Sequence, residues 1–355
     1  MVRLTRAQQQ ARTRASVLAA AKEEFTEHGY AGAKVDRIAE RAELTRGAVY
    51  SNFPGKRALY LAVLIELAGA AGGMPAEVSP SSAVDALGVF ARVWLERLPL
   101  VGDSAAGGRM QLRSLDGVLD DRHGPVLAQV AALEAVLLAT ALERGGPARQ
   151  VRLAQVVLTL LDGAAHRAES APGFGDPFDV AHACRHLAQV DLADTWAPPH
   201  LPYVAPARTC ADAWTAPEGL VDLIGGGPVD LTDGLVAVLG AGRLGAAEEA
   251  LRSVRPGEQV VLVVVTGDQE ETGRLVRLRL TDLVGCLRRV FAPDVWRHVR
   301  LVLDEDAAVP SALGLGNAGD DTEAAVRVRD GVVVARAQGL GASHAAGARR
   351  REATS

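Results

Sequence analysis

Cysteine is scarce in this 355-residue sequence: only Cys184, Cys210 and Cys286 occur, an odd number at wide spacing. That argues against a disulfide framework and against a paired-cysteine redox or zinc motif, and all three read as free thiols. Long apolar runs are missing too. Apolar residues make up 48% of the chain, yet no run of about eighteen is free of charged or polar breaks, so no bilayer-spanning segment is expected. The opening Met1-Val2-Arg3-Leu4-Thr5-Arg6 and Gln8-Gln9-Gln10 show neither the apolar core nor the cleavage site of an export signal, and the expected location is the cytoplasm.

The charge is unevenly distributed. Residues 1–60 carry eleven Lys or Arg and six Asp or Glu, a balance of +5. The chain totals of 38 and 43 then leave 27 basic and 37 acidic residues for 61–355, a balance of -10. A basic head on an acidic body attracts a polyanion at one end only. A solvated helix face would also carry such charge, so the motif has to decide.

At about 100–200 residues per domain the length calls for two or three units, and three is the reading adopted. From Arg12 to Glu27, Val17, Leu18, Ala21 and Phe25 recur at helical spacing, and His28-Gly29-Tyr30 ends the helix. A second helix runs from Lys34 to Ala42, and a third of barely two turns from Arg46 to Asn52, capped by Thr45 and stopped by Phe53-Pro54-Gly55. A fourth starts near Lys56. Further amphipathic helices are predicted at 82–98, 109–121, 125–144, 148–169 and 177–196. After the proline-dense stretch 198–207 the pattern turns to buried strands at 235–239, 260–265 and 299–303, with helices at 244–254 and 273–290. Asp330-Gly331 between Val326, Val328, Val332 and Val334 marks a closing hairpin, with Arg327 and Arg329 on its other face. The fold class is therefore all-α at 1–72 and 80–197, a linker at 198–207, a separate α/β domain at 208–342 and a disordered tail at 343–355. Residues 1–200 alone are expected to stay folded and dimeric.

Gly29-Tyr30, Val35-Asp36-Arg37-Ile38-Ala39 and the run Leu44-Thr45-Arg46-Gly47-Ala48-Val49-Tyr50-Ser51-Asn52-Phe53-Pro54-Gly55-Lys56-Arg57-Ala58-Leu59 resemble the TetR-family DNA-binding domain over about fifty residues. The physics agrees with it, since a short helix with a polar outer face enters a major groove about 12 Å wide. The resemblance implies a DNA-contacting set of Lys34, Thr45, Arg46, Gly47, Tyr50, Asn52 and Lys56. Arg46 is expected to read a base through its guanidinium, against a surface salt bridge as the plainer alternative. Gly47 lets the backbone approach. Thr45 and Tyr50 offer hydroxyls to phosphate, Lys56 and the start of the fourth helix form a second anchor, and packing is the plainer role for Tyr50. Lys34 stands where the family usually presents a hydroxyl. Val49 and Phe53 belong to the core. Arg3, Arg6, Arg12 and Arg14 read as a basic arm before the first helix, or as a solvated tail.

The resemblance further implies an effector pocket in the helical unit and a homodimer through 148–169 and 177–196, where Val151, Ala154, Val157, Leu158, Leu161 and Ala165 form a stripe that an internal core would equally require. His182 and His186, with His166, are a weak metal pair lacking further donors, so neither metal nor cofactor is expected. Gly240-Ala241-Gly242-Arg243-Leu244-Gly245 with Asp268 mimics a dinucleotide fingerprint, and so an oxidoreductase or nucleotide-binding protein is the alternative reading. A second resemblance, to a degenerate thioredoxin or peroxiredoxin fold, fits the closing hairpin better. There Leu244-Gly245-Ala246-Ala247 occupies the place of the paired cysteines and Glu323 that of the loop proline, leaving no thiol nucleophile. The expected function is a DNA-binding regulator, a repressor controlled by a small molecule, and not an enzyme. Its partners would be operator DNA and that effector, with no membrane.

Overall fold

Helix α1 (Arg6–Gly32) begins at a capping box: Thr5 accepts from the Gln8 N–H at 3.2 Å while its own N–H donates to Gln8 Oε1 at 2.9 Å. The computed structural model describes residues 5–96, 115–143, 148–171, 173, 175–197 and 204–348. Because the cap sits so early, Arg6, Arg12 and Arg14 lie on α1, and the expected arm before the first helix is corrected accordingly. Arg3 falls outside the described residues. Gly29, at φ 65°, turns the chain out of helical geometry. Helices α2 (Val35–Arg41), α3 (Arg46–Asn52) and α4 (Lys56–Ala70) follow, and Phe25, Ile38, Val49, Phe53 and Leu64 meet in one core.

The next helices are α5 (Ala83–Leu95), α6 (Gly124–Leu142), α7 (Val151–Ser170) and α8 (Pro177–Leu187). Two expectations change here. The helix at 109–121 has no α-helical counterpart in its described part, which is a turn at 116–118 before a short 3₁₀ segment, Asp121–His123. The last helix stops at Leu187 instead of 196 because the following segment serves another end: Asp194 accepts from the Arg152 N–H at 2.7 Å and pairs with Arg149, covering the open first turn of α7. The stripe Val151, Ala154, Val157, Leu158, Leu161 and Ala165 is buried within this one chain. The segment Asp121–Leu142 is long and apolar enough to cross a bilayer, but 61% of its most apolar window is buried inside the fold.

The α/β unit holds a six-stranded sheet in the order β1-β6-β5-β2-β3-β4. Its strands are β1 (Arg208–Ala213), β2 (Gly234–Gly240), β3 (Val260–Val265), β4 (Val299–Leu303), β5 (Glu323–Arg329) and β6 (Val332–Gln338). Strands β2, β3 and β4 are parallel, and β5, β6 and β1 join antiparallel. Asp330 and Gly331, at φ 48° and 72°, make the tight β5–β6 turn with both central residues left-handed. Successive side chains of the central strands enter two different cores. Val236, Val238, Val261 and Val263 pack with α11 (Ala308–Ala312), Leu231 and Leu313 on the outer face. Leu235, Ala237, Leu262 and Leu301 on the inner face join the core that runs through α1, α4, α5, α6 and α7.

That continuity corrects the expectation of a separate domain. Helix α10 (Arg274–Val290), entered through a single π turn at Gln269–Gly273, packs against α4, α5 and α6, and Leu275, Leu278, Leu280, Leu283 and Leu287 are fully buried. Each such leucine stabilises by roughly 1.5–3 kcal/mol. Arg279 crosses the same junction to Glu134 of α6, at 2.9 and 3.1 Å, with Asp162 at 3.3 Å. The tail is corrected as well. Helix α12 (Ala342–Gly347) packs on β5 and on α9 (Ala247–Ser253), and Arg327, buried beneath it, donates to the carbonyls of Ala346 and Gly347 at 3.1 and 2.7 Å. Residues 198–203 of the proline-rich stretch and 349–355 lie outside the described residues.

Candidate nucleic-acid interface

Helices α2 and α3 meet across a tight turn in which Glu43 adopts φ 55° and the Leu44 N–H donates to the Ala39 carbonyl at 2.9 Å. Thr45 caps α3 by accepting from the Ala48 N–H at 3.2 Å, which leaves its hydroxyl proton available to a phosphate oxygen. One residue on, the Arg46 side chain is 60% exposed and pairs with Asp36 of α2 at 3.1 Å. It also donates to the Tyr50 hydroxyl at 3.4 Å and lies 5.5 Å from that ring's centre. The Tyr50 hydroxyl and Asp36 hold its guanidinium above its ordinary value. Exposed pairs of this kind contribute only about 0–1 kcal/mol, so the guanidinium exchanges readily for a base edge. Tyr50 is 39% exposed beside it, and a Cβ at Gly47 would meet only the Thr45 hydroxyl, at 3.9 Å. Thr45, Arg46, Gly47 and Tyr50 therefore lie together on one open end of α3.

The other three residues are placed differently. The Asn52 amide donates back to the Ala48 carbonyl at 2.9 Å. Lys56 donates to the Ala31 carbonyl at 3.2 Å and rests 4.8 Å above the Tyr30 ring, where burial pulls its ammonium below its usual value. Lys34 is exposed at the start of α2, with no side-chain cap, and its amide donates to Glu24 at 2.9 Å. Glu24 is fully buried and also accepts from Arg37 Nε at 2.7 Å, while Arg41 pairs with Glu27, so α2 is latched to α1. Glu24, Glu27 and His28 lie close enough to hold an ion, but Arg37 and Arg41 already neutralise them. His166 pairs with Asp116 at 3.1 Å, and His182 and His186 are exposed on α8.

A clamp invisible to the sequence reading joins this head to the α/β unit. Phe53, directly after α3, has the guanidinium groups of both Arg14, at 4.3 Å, and Arg274, at 5.2 Å, over its ring. Arg274 also donates to the Ala58 carbonyl at 3.0 Å, and Arg57 pairs with Glu271 at 2.7 Å and donates to the Val118 carbonyl at 2.7 Å. Residues 57 and 271 are 214 positions apart, so no local pattern announces their pairing.

The 240–245 loop is filled by the protein itself. Gly240, Ala241 and Gly242 donate their N–H groups to Thr322, Val265 and Asp320, and Gly245 donates to the Gln129 side chain at 2.8 Å. A Cβ at Gly240 or Gly242 would collide with the Asp320 carbonyl, so these glycines admit the turn before β5 and leave no amide cradle for a pyrophosphate. Glu323 accepts from Arg243 at 2.6 Å and from the Gly341 N–H at 2.6 Å. Cys184 and Cys286 are buried, and Cys210 lies on β1 with its thiol 3.3 Å from the Val333 carbonyl.

The exposed short helix on a latched helix pair, with a basic residue at its N-terminal end, defines the class: a helix-turn-helix head shaped for duplex DNA. Residues 17–63 match the family model of the bacterial regulatory proteins, tetR family, and the head is a TetR-like helix-turn-helix domain. No curated protein matches the chain. Among solved structures it is similar to a TetR transcriptional regulator from Rhodococcus sp. RHA1, at 20% identity over 53% of this chain and 99% of that one, with a TM-score of 0.34. It is also similar to the transcriptional regulator FadR of Bacillus subtilis in complex with stearoyl-CoA, at 17% identity, 49% and 96% coverage and a TM-score of 0.35. A third is NalD of Pseudomonas aeruginosa, the secondary repressor of the MexAB-OprM multidrug efflux pump, at 17% identity, 51% and 95% coverage and a TM-score of 0.34. These regulators account for about half of this chain.

Proposed function

We propose that the protein is a sequence-specific transcriptional regulator of TetR type, a cytoplasmic repressor that binds operator DNA as a homodimer and is released by a small-molecule effector. The observation that carries this reading is the exposed N-terminal end of α3, where Arg46, Thr45 and Tyr50 stand together beside Gly47. Dimerisation places a reading helix on each operator half-site. Since the inner stripe of α7 serves the chain's own core, the two-fold contact is assigned to the outer faces, where Val156 of α7 and Phe178 of α8 are exposed large apolar residues. The α/β unit is read as a binding module on a thioredoxin-like plan without catalysis. In support, β2 lies between parallel β3 and antiparallel β5, and β6 pairs antiparallel with β5 beyond it.

The test is selection of bound fragments from random duplex DNA by the full-length protein, followed by affinity measurements at several salt concentrations. A recurrent two-fold motif with a steep salt dependence is expected. Recovery of no enriched sequence at low ionic strength would reject the reading.

A further inference from the structure

A cavity away from the reading helix opens in the α/β unit between the loop at 222–228 and the end of α10. It has a volume of about 550 Å³ and is walled on its apolar side by Ile224, Pro228, Phe291 and Trp296. Arg288, Arg297 and Arg300 supply its charge. A cavity of about 300–1,000 Å³ with an apolar lining and a few polar groups is the form of a small-molecule site.

The hydrogen-bond inventory of the wall selects the ligand. Asp222, buried at one side, has both oxygens engaged, accepting from the N–H groups of Ile224 and Leu301 at 3.0 Å and of Gly225 at 2.9 Å. Arg288 donates through Nε and Nη2 to the carbonyls of Ile224 and Leu223, and Arg300 through Nη1 to those of Trp296 and Val299. Arg300 Nε also lies 3.8 Å from Asp222, which offsets part of its charge, and each of these two guanidinium groups keeps a further terminal nitrogen. Arg297 is exposed. The Trp296 indole N–H is buried without a hydrogen-bond partner, in a residue only 3% exposed. That N–H is out of reach of water and therefore of a ligand; the donors left for one are the remaining arginine nitrogens, which an anionic acceptor complements. The one other carboxylate, Asp294, lies at the exposed rim.

We infer that this cavity is a binding site for a flat aromatic carboxylate, its ring against Phe291 and Trp296 and its anionic end toward the arginines. Gly225 and Gly227 line the cavity without side chains, and a Cβ at Gly227 would meet no atom within 4 Å. The site also touches the path to the reading head. Pro75, just beyond α4, forms part of the wall, and its neighbour Ala76 donates to the Arg288 carbonyl at 2.8 Å. On the regulator reading, on which this part rests, the cavity is the effector site and α4 carries the signal.

The full-length protein is titrated by calorimetry, without DNA, with 2-naphthoate, 2-naphthylmethanol and 2-naphthylmethylamine. The carboxylate is expected to bind one site per chain at least tenfold more tightly than the alcohol or the amine. Arg297→Glu should weaken it at least tenfold. Gly227→Leu should abolish it, since a Cβ there meets no atom within 4 Å and the added side chain takes the ligand's space. Equal affinity for the three probes, a preference for the amine, or naphthoate binding unchanged in both variants overturns the site. If Gly227→Leu fails to fold, Arg297→Glu at its exposed position still decides. Release of a selected DNA fragment is then measured with naphthoate. Binding of the expected pattern without release overturns the coupling through α4. Failure to retain DNA even without naphthoate overturns the regulator reading, while the calorimetry still judges the cavity.

Discussion

At the residue scale, Arg46 and Lys56 separate base reading from anchoring. Arg46→Ala is expected to relax preference at one base position by about 1–3 kcal/mol, read from the affinities of operator variants, and equal losses on every sequence would contradict that role. Glu24 links the head to pH. Burial pushes its carboxyl up, but the hydrogen bonds from Arg37 and the Lys34 amide, with the charges of Arg37 and His28, bring it below its ordinary 4.5. A carboxyl held down in the folded state contributes stability that is fully present above its unfolded value and is lost as pH falls through the folded value. The wild-type melting temperature should therefore fall on acidification below 4.5. Glu24→Gln, less stable at neutral pH, should show a flatter profile, and parallel profiles by calorimetry would remove Glu24 from the account. Burial also pushes the Cys184 thiol up to about 11. A disulfide reagent at pH 8 should then find one fast thiol in the native protein, Cys210, and three after denaturation; rapid reaction of Cys184 would contradict its burial.

At the element scale, the buried Arg279 and Glu134 pair ties α10 to α6. Burial raises the Glu134 carboxyl against the charge of Arg279. Glu134→Gln leaves Arg279 with Asp162 as its remaining partner and should destabilise the protein in denaturant unfolding by less than the about 3–5 kcal/mol of a wholly unpaired buried charge, whereas Glu134→Leu with Arg279→Met should recover most of that loss. What the sequence made legible follows the same physics. Strands β2, β3 and β4 were readable because strands buried on both faces become short apolar runs, and the β5–β6 hairpin because Asp330-Gly331 admits left-handed geometry. β1 escaped notice because Arg208–Ala213 is an edge strand with an exposed, polar pattern. Helix α10 was found, but not its surroundings. Periodicity reports that Leu275, Leu283 and Leu287 are inside and is silent on whether sheet or helices lie opposite. In the candidate site, Thr45, Arg46 and Tyr50 were legible from local spacing. Arg14, Arg57 and Arg274 were not, since their partners come from distant segments.

At the scale of the whole molecule, the shared core changes the expectation for truncation. Removing residues 198–355 strips α10 from α4, α5 and α6 and leaves their apolar faces to water. The remaining 1–197 fragment is expected to aggregate or to bind a hydrophobic dye, with no cooperative thermal transition. A sharp transition and a discrete species in sedimentation would restore the picture of independent units. The Phe53 clamp carries this dependence into the head, because one of its two guanidinium groups, Arg274, belongs to the sheet-bearing half. The head is thus no interchangeable cassette: grafted onto a foreign body, it would arrive without the outer jaw that steadies the end of its reading helix.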